Sequence, residues 1–109
     1  MPRYMIQASY TAAASAALAT KPQDRTAGVS ALFEKAGGRF ETMDYSLGEY
    51  DVVVLGMLPD DTAAAAIALA VTGAGHMSRY RTQRLLSADE FMSAQKMAHE
   101  MGYQGPGKA

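Results

Sequence analysis

Apolar and polar residues alternate from residue 4 to residue 10, with Tyr4, Ile6, Ala8 and Tyr10 on one side and Met5, Gln7 and Ser9 on the other. Side chains of an extended chain point to opposite faces in turn, so this period of two predicts a first strand. Residues 11–19 are alanine-rich and open with Thr11, a favourable N-cap, which predicts a short helix. Lys21-Pro22 interrupts it, because the residue before proline is driven out of the helical region, and a second helix is expected to begin there. Val29, Leu32, Phe33 and Ala36 recur at the spacing of one helix face, and Gly37-Gly38 supplies the positive φ that ends it.

Residues 39–45 mix charge with Phe40, Met43 and Tyr45 and read as a second strand, turned back through Ser46-Leu47-Gly48-Glu49 into a third over residues 50–58. In the third strand Tyr50, Val52, Val54 and Leu58 are apolar on one side and Val53, Leu55 and Met57 on the other, so both faces are expected to be buried. Gly56 inside it points to a bulge or to the close approach of another backbone. Gly48 is expected to adopt positive φ, and Asp51 to accept hydrogen bonds from amides of the turn.

Pro59-Asp60-Asp61 stops this strand and caps a helix over residues 62–72 that carries no charge. At this length it falls short of the ~20 residues needed to span a bilayer, and it reads as a small-residue helix lying on a sheet. Residues 76–86 form a fourth strand whose Arg79, Arg81 and Arg84 suit a sheet edge. Ser87-Ala88-Asp89-Glu90 is a capping box that opens a last helix, with Phe91, Ala94, Ala98 and Met101 on one face and Gly102 as its stop.

The order is βαββαβ plus a C-terminal helix. Right-handed crossovers fold it into a four-stranded antiparallel sheet, fourth-first-third-second, with helices on one face: an α+β, ferredoxin-like architecture. One domain is expected over residues 1–102, followed by a flexible tail at 103–109. A third strand apolar on both sides requires a cover for the second sheet face, and another copy of the same sheet supplies it, which makes a homodimer the expected assembly.

At 109 residues there is room for one core only, and 49% hydrophobic with 19% charged residues suffices to fold it. The net charge of −1 removes the global attraction to nucleic acid or to an anionic membrane, and neither is expected as a partner. Without cysteine there is no disulfide, thiolate zinc site or thiol nucleophile. The apolar run at residues 4–6 is too short for a signal peptide's core, so residence in the cytoplasm is expected. His76 and His99 lie on different elements with no carboxylate at ligand spacing, so neither a metal nor a cofactor is expected. The eight methionines suit flexible gap-filling or an adaptable pocket.

Five short motifs occur in a telling order: Tyr10-Thr11 at the end of the first strand, Lys35-Ala36-Gly37-Gly38 at a helix end, Leu47-Gly48-Glu49-Tyr50-Asp51 at the turn, Leu58-Pro59-Asp60-Asp61 before the alanine-rich helix, and Arg81-Thr82 leading to Leu85. Together they resemble the GYD domain family, from residue 4 to about residue 91, with a departure from the family pattern at residues 13–17. The resemblance implies membership of the dimeric α+β-barrel group, in which two ferredoxin-like sheets pack face to face. Some members of that group bind haem through one histidine, for which His76 would be the residue here. No catalytic residue is implied.

Seven residues stand out as ligand-binding candidates. Glu49, Tyr50 and Asp51 place carboxylates near a phenol, a combination that can move a proton at the mouth of a cavity. Arg79 and Arg81 share one strand face, where guanidinium forks either bind carboxylate or phosphate or merely guard a sheet edge. Gln7 and Ser9 are polar groups on a central strand and need partners, from the protein or from a ligand. The expected function is non-enzymatic binding of a small molecule or partner by a homo-oligomeric domain. The alternative is a cofactor-independent oxygenase or isomerase that uses Tyr, Gln, Ser or Asp groups between sheet and helices. A cavity lined by Gln7, Ser9, Tyr50 or Asp51 favours the enzyme, and a solid core with an exposed apolar groove favours the partner-binding protein.

Overall fold

The computed structural model describes residues 1–108, and Ala109, the end of the expected tail, lies outside them. Along the chain run β1 (Arg3–Tyr10), α1 (Ala12–Thr20), α2 (Thr26–Lys35), β2 (Arg39–Tyr45), β3 (Val52–Met57), α3 (Asp61–Gly73), β4 (Met77–Leu85) and α4 (Ala88–Met101), then a 3-10 turn at Pro106–Lys108. The four strands form one antiparallel sheet in the order β2-β3-β1-β4. This is the ferredoxin-like order expected from the alternation of elements.

Register decides which residues share a face. Tyr4, Ile6 and Ala8 stand opposite Gly56, Val54 and Val52 on β3 and opposite Arg84, Thr82 and Tyr80 on β4. This is the face that the first three helices cover, and the core forms there from Tyr4, Ile6, Val52 and Val54 with Phe33 of α2, Leu58, and Ala64 and Ile67 of α3. Each large apolar side chain buried in this way contributes about 1.5–3 kcal/mol. Tyr4 also carries a polar tie: its hydroxyl donates to Asp61 Oδ1 at 2.6 Å, which fixes the start of α3 to the central strand.

Local signals held at the helix ends. Thr11 accepts from the Ala14 amide, Asp60 from the Ala63 amide, and Ser87 with Glu90 completes the capping box. Gly37 and Gly102 take positive φ of 83° and 63°.

Other expectations are corrected. The second helix starts at Thr26, four residues past Pro22, because Asp24 Oδ1 accepts from the Thr26 amide and holds the preceding segment open. The third strand starts at Val52, since the Ser46 amide donates to the Asp51 carbonyl at 2.9 Å and closes residues 46–51 into a loop. Gly48 does not take positive φ; its amide donates to Ser46 Oγ at 3.0 Å, so a side chain, not an unusual backbone angle, makes the turn. The Asp51 carboxylate leaves the turn amides and accepts from the Tyr10 amide at 2.9 Å. At Gly56 the expected close approach is present, from the Arg39 backbone carbonyl together with the Phe33 ring, whereas the irregular register lies on the neighbouring strand, between Phe40 and Thr42.

Within one chain only one face of β3 is buried. Val52 and Val54 are buried, while Val53, Leu55 and Met57 on the opposite face are half-buried. α4 departs furthest from expectation: Phe91, Ala94, Ala98 and Met101 all face solvent.

Candidate functional site

α1 and α3 present alanines to the sheet, and this choice of residue creates space. Ala14 and Ala17 on α1, Ala70 on α3 and Ala74 just past its end line the space above Ile6, Ala8, Val52 and Val54, and Ala17, Ala70 and Ala74 are exposed, so the space opens to solvent there. What remains is a cavity of about 530 Å³ between the sheet and the first three helices. Leu18, Val29, Leu32, Phe33 and Ile67 make most of its wall apolar.

Few polar groups line it: Tyr10, Tyr80, Gln23, Arg25 and His76. The Tyr80 hydroxyl is buried and has no hydrogen-bond partner among the described residues. Burial pushes this phenol up to about 12, while the nearby Thr82 hydroxyl draws it the other way without reaching hydrogen-bond geometry. Burial, with the neighbouring Tyr45 phenol, likewise raises Tyr10 to about 12. At neutral pH both phenols are therefore uncharged and serve as hydrogen-bond donors, not as bases. His76 sits at the entrance, just ahead of β4, with its carbonyl accepting from the Thr11 amide.

The seven residues singled out in the sequence lie elsewhere. Five gather around the 46–51 loop. Arg79 Nη1 pairs with Glu49 Oε1 at 2.9 Å, Arg79 Nη2 donates to the Glu49 carbonyl, and the guanidinium sits 4.6 Å over the Tyr50 ring. Ser9 Oγ donates to the same carbonyl at 3.3 Å, and Asp51 holds the Tyr10 amide. These groups use one another as partners and tie the loop to the ends of β1 and β4. The remaining two, Gln7 and Arg81, stand opposite each other on the sheet face away from the one that the first three helices cover. None of Gln7, Ser9, Tyr50 or Asp51 lines the cavity.

Sequence reasoning passed over the cavity tyrosines. Strand alternation does put Tyr10 and Tyr80 on the helix-facing side, but nothing in the spacing shows that the alanines opposite them leave a void. Among the described residues no group of three or more His, Cys, Asp or Glu is placed to hold a metal ion. No described helix is long and apolar enough to cross a membrane.

A four-stranded α+β sheet with one face open and a tyrosine-bearing cavity under the other defines a ferredoxin-like domain, with an interior in the ~300–1,000 Å³ range of small-molecule sites. The sequence model of the GYD domain matches residues 4–95, nearly the whole chain, and the protein belongs to the GYD domain family. No curated protein and no solved structure matches it.

Proposed function

We propose that this protein is a homodimeric small-molecule-binding domain that holds its ligand in the cavity between sheet and helices, with the open sheet faces of two copies packed together. One observation carries the reading: the Tyr80 hydroxyl is buried against an apolar cavity with no partner of its own. A buried hydroxyl without a partner costs about 1–3 kcal/mol, which a ligand oxygen accepting its proton recovers. The wall chemistry asks for a compact, mainly apolar molecule with one hydrogen-bond-accepting oxygen. The loop cluster of Glu49, Tyr50 and Arg79 supports this as scaffold, because its charges are already satisfied.

His76 and Tyr10 beside the same cavity favour a second reading, a cofactor-independent oxygenase or isomerase, in which the phenols orient a substrate oxygen and the imidazole at the entrance exchanges a proton. Thermal-shift titration of aryl ketones and short-chain esters, with native mass spectrometry of the purified protein, tests the binding reading. Compounds that fit raise Tm in a concentration-dependent way, and Tyr80→Phe removes most of the rise. Absence of any shift and of any co-purified mass would sink it. Conversion of a bound compound by wild type and not by His76→Ala would move the reading to the enzyme.

A further inference from the structure

α4 is a 14-residue helix with no buried residue. At 100° per residue, Phe91, Ala94, Met97, Ala98 and Met101 fall in one apolar stripe about 120° wide. The stripe is bare: Phe91 is 57% exposed, Met97 61% and Met101 70%. Yet the helix is well made, with a capping box at Ser87 and Glu90 and a left-handed Gly102 at its end. In its first turn Glu90 Oε2 also pairs with Arg84 Nη2 on β4 at 3.0 Å. Past that turn every residue of α4 is solvent-exposed. The molecule measures 62 × 32 × 21 Å, and its radius of gyration of 17.9 Å exceeds the ~13 Å of a compact chain of this length.

A helix of this length is marginal in water unless its apolar face is packed, and in this chain that face is unpacked. We infer that α4 is an arm that buries its stripe on a second copy of this chain, as part of the two-fold dimer. The inference rests on the sheet-to-sheet pairing proposed above and adds the element that completes it. Four strands ~4.8 Å apart and ~20–25 Å long make a sheet face of about 450 Å², so two faces together bury about 900 Å². That is below the ~1,200–2,000 Å² of stable interfaces. An arm ~21 Å long and ~10 Å wide covers about 200 Å² and hides as much beneath it, so two arms add about 800 Å² and bring the total into that range. One two-fold axis thus covers both bare surfaces, the stripe of α4 and the half-buried Val53, Leu55 and Met57, with identical contacts on each side.

Light scattering and sedimentation over a concentration series test this with three full-length proteins: wild type, the triple variant Phe91→Gln, Met97→Gln and Met101→Gln, and Val53→Lys. Gln sustains a helix, so the far-UV spectrum of the triple variant stays as in wild type. The expected result is a wild-type dimer whose dissociation constant weakens by about a hundredfold or more in the triple variant, with Val53→Lys also dissociated. A triple variant that dimerises as wild type does, while Val53→Lys is monomeric, overturns the arm and leaves the sheet pairing standing. A wild type that is monomeric at every concentration overturns both and assigns the stripe to a different protein. Should the triple variant lose helix, Phe91→Gln alone against Phe91→Leu reads the same contact: the first weakens the dimer and the second keeps it, and equal affinities overturn the arm.

Discussion

The Phe33 ring occupies the space in which a Cβ on Gly56 would stand. Phe40, opposite Gly56 on β2, meets the same ring edge-on at 6.1 Å between centroids and 75° between planes. Gly56, next to last in β3, is therefore a socket for α2. Gly56→Ala forces the ring or the strand aside and is expected to lower stability by about 1–3 kcal/mol, with no change in the helix content of the folded protein. Urea unfolding monitored by circular dichroism gives the value. A variant as stable as wild type would mean that Phe33 is not seated on β3.

Two other glycines are expected to respond to different degrees. Gly37 has φ 83° at the end of α2, so Gly37→Ala costs about 1 kcal/mol or more. Gly48 has no positive φ, and a Cβ there would meet only Ser46 Oγ, at 3.3 Å. Gly48→Ala should shift stability by no more than about 0.5 kcal/mol. Thermal melts of the two variants side by side decide whether the hairpin loop depends on a glycine conformation or on Ser46.

Asp51 holds the Tyr10 amide across the end of β1. Asp51→Ala leaves that half-buried N–H without its acceptor and is expected to cost about 1–2 kcal/mol, whereas Asp51→Asn, which keeps an acceptor oxygen, should cost less. Amide hydrogen exchange supplies the local check. Protection at Tyr10 should fall in the alanine variant and survive in the asparagine one.

Adjacent valines on β3 separate folding from assembly. Val52 is 3% exposed beneath the helices, so Val52→Lys strands a charge in the core and should cost about 3 kcal/mol or more, leaving little soluble protein. Val53 lies on the open sheet face, and Val53→Lys is expected to fold with a melting temperature near that of an isolated wild-type chain. Comparing soluble yield and far-UV spectra of the two variants gives the answer, and equal loss of folding would place both residues in the core.

Alkaline stability should report the cavity tyrosines. Tyr10 and Tyr80 are raised from 10 to about 12 in the folded protein, so the folded state binds more protons than the unfolded state between these values. Their contribution is fully present below about pH 10 and is lost as pH rises towards about 12. Urea midpoints measured from pH 8 to pH 11.5 are expected to hold and then fall, and the fall should be shallower in Tyr80→Phe.

Much of this protein is decided by its sequence alone. The alternation at residues 4–10, the paired apolar faces around Val52 to Met57, the caps at Thr11, Asp60 and Ser87 and the stop at Gly102 all act within a few residues. Strand alternation and helix spacing are local periodicities, so the order of elements follows from them, and right-handed crossovers then leave the observed sheet order as the simplest closure. Only the tertiary structure decided the rest. Gly48 looked like a positive-φ turn residue because its neighbours suit one, but the hydroxyl of Ser46 and the carbonyl of Asp51 close that loop by another route. The cavity arises from a difference of volumes between alanines on α1 and α3 and the strands beneath them, and no spacing along one chain carries that difference. The stripe on α4 is legible as apolar in the sequence, whereas only the structure shows that it stays exposed on its own chain, because whether a helix face is covered depends on the elements placed around it.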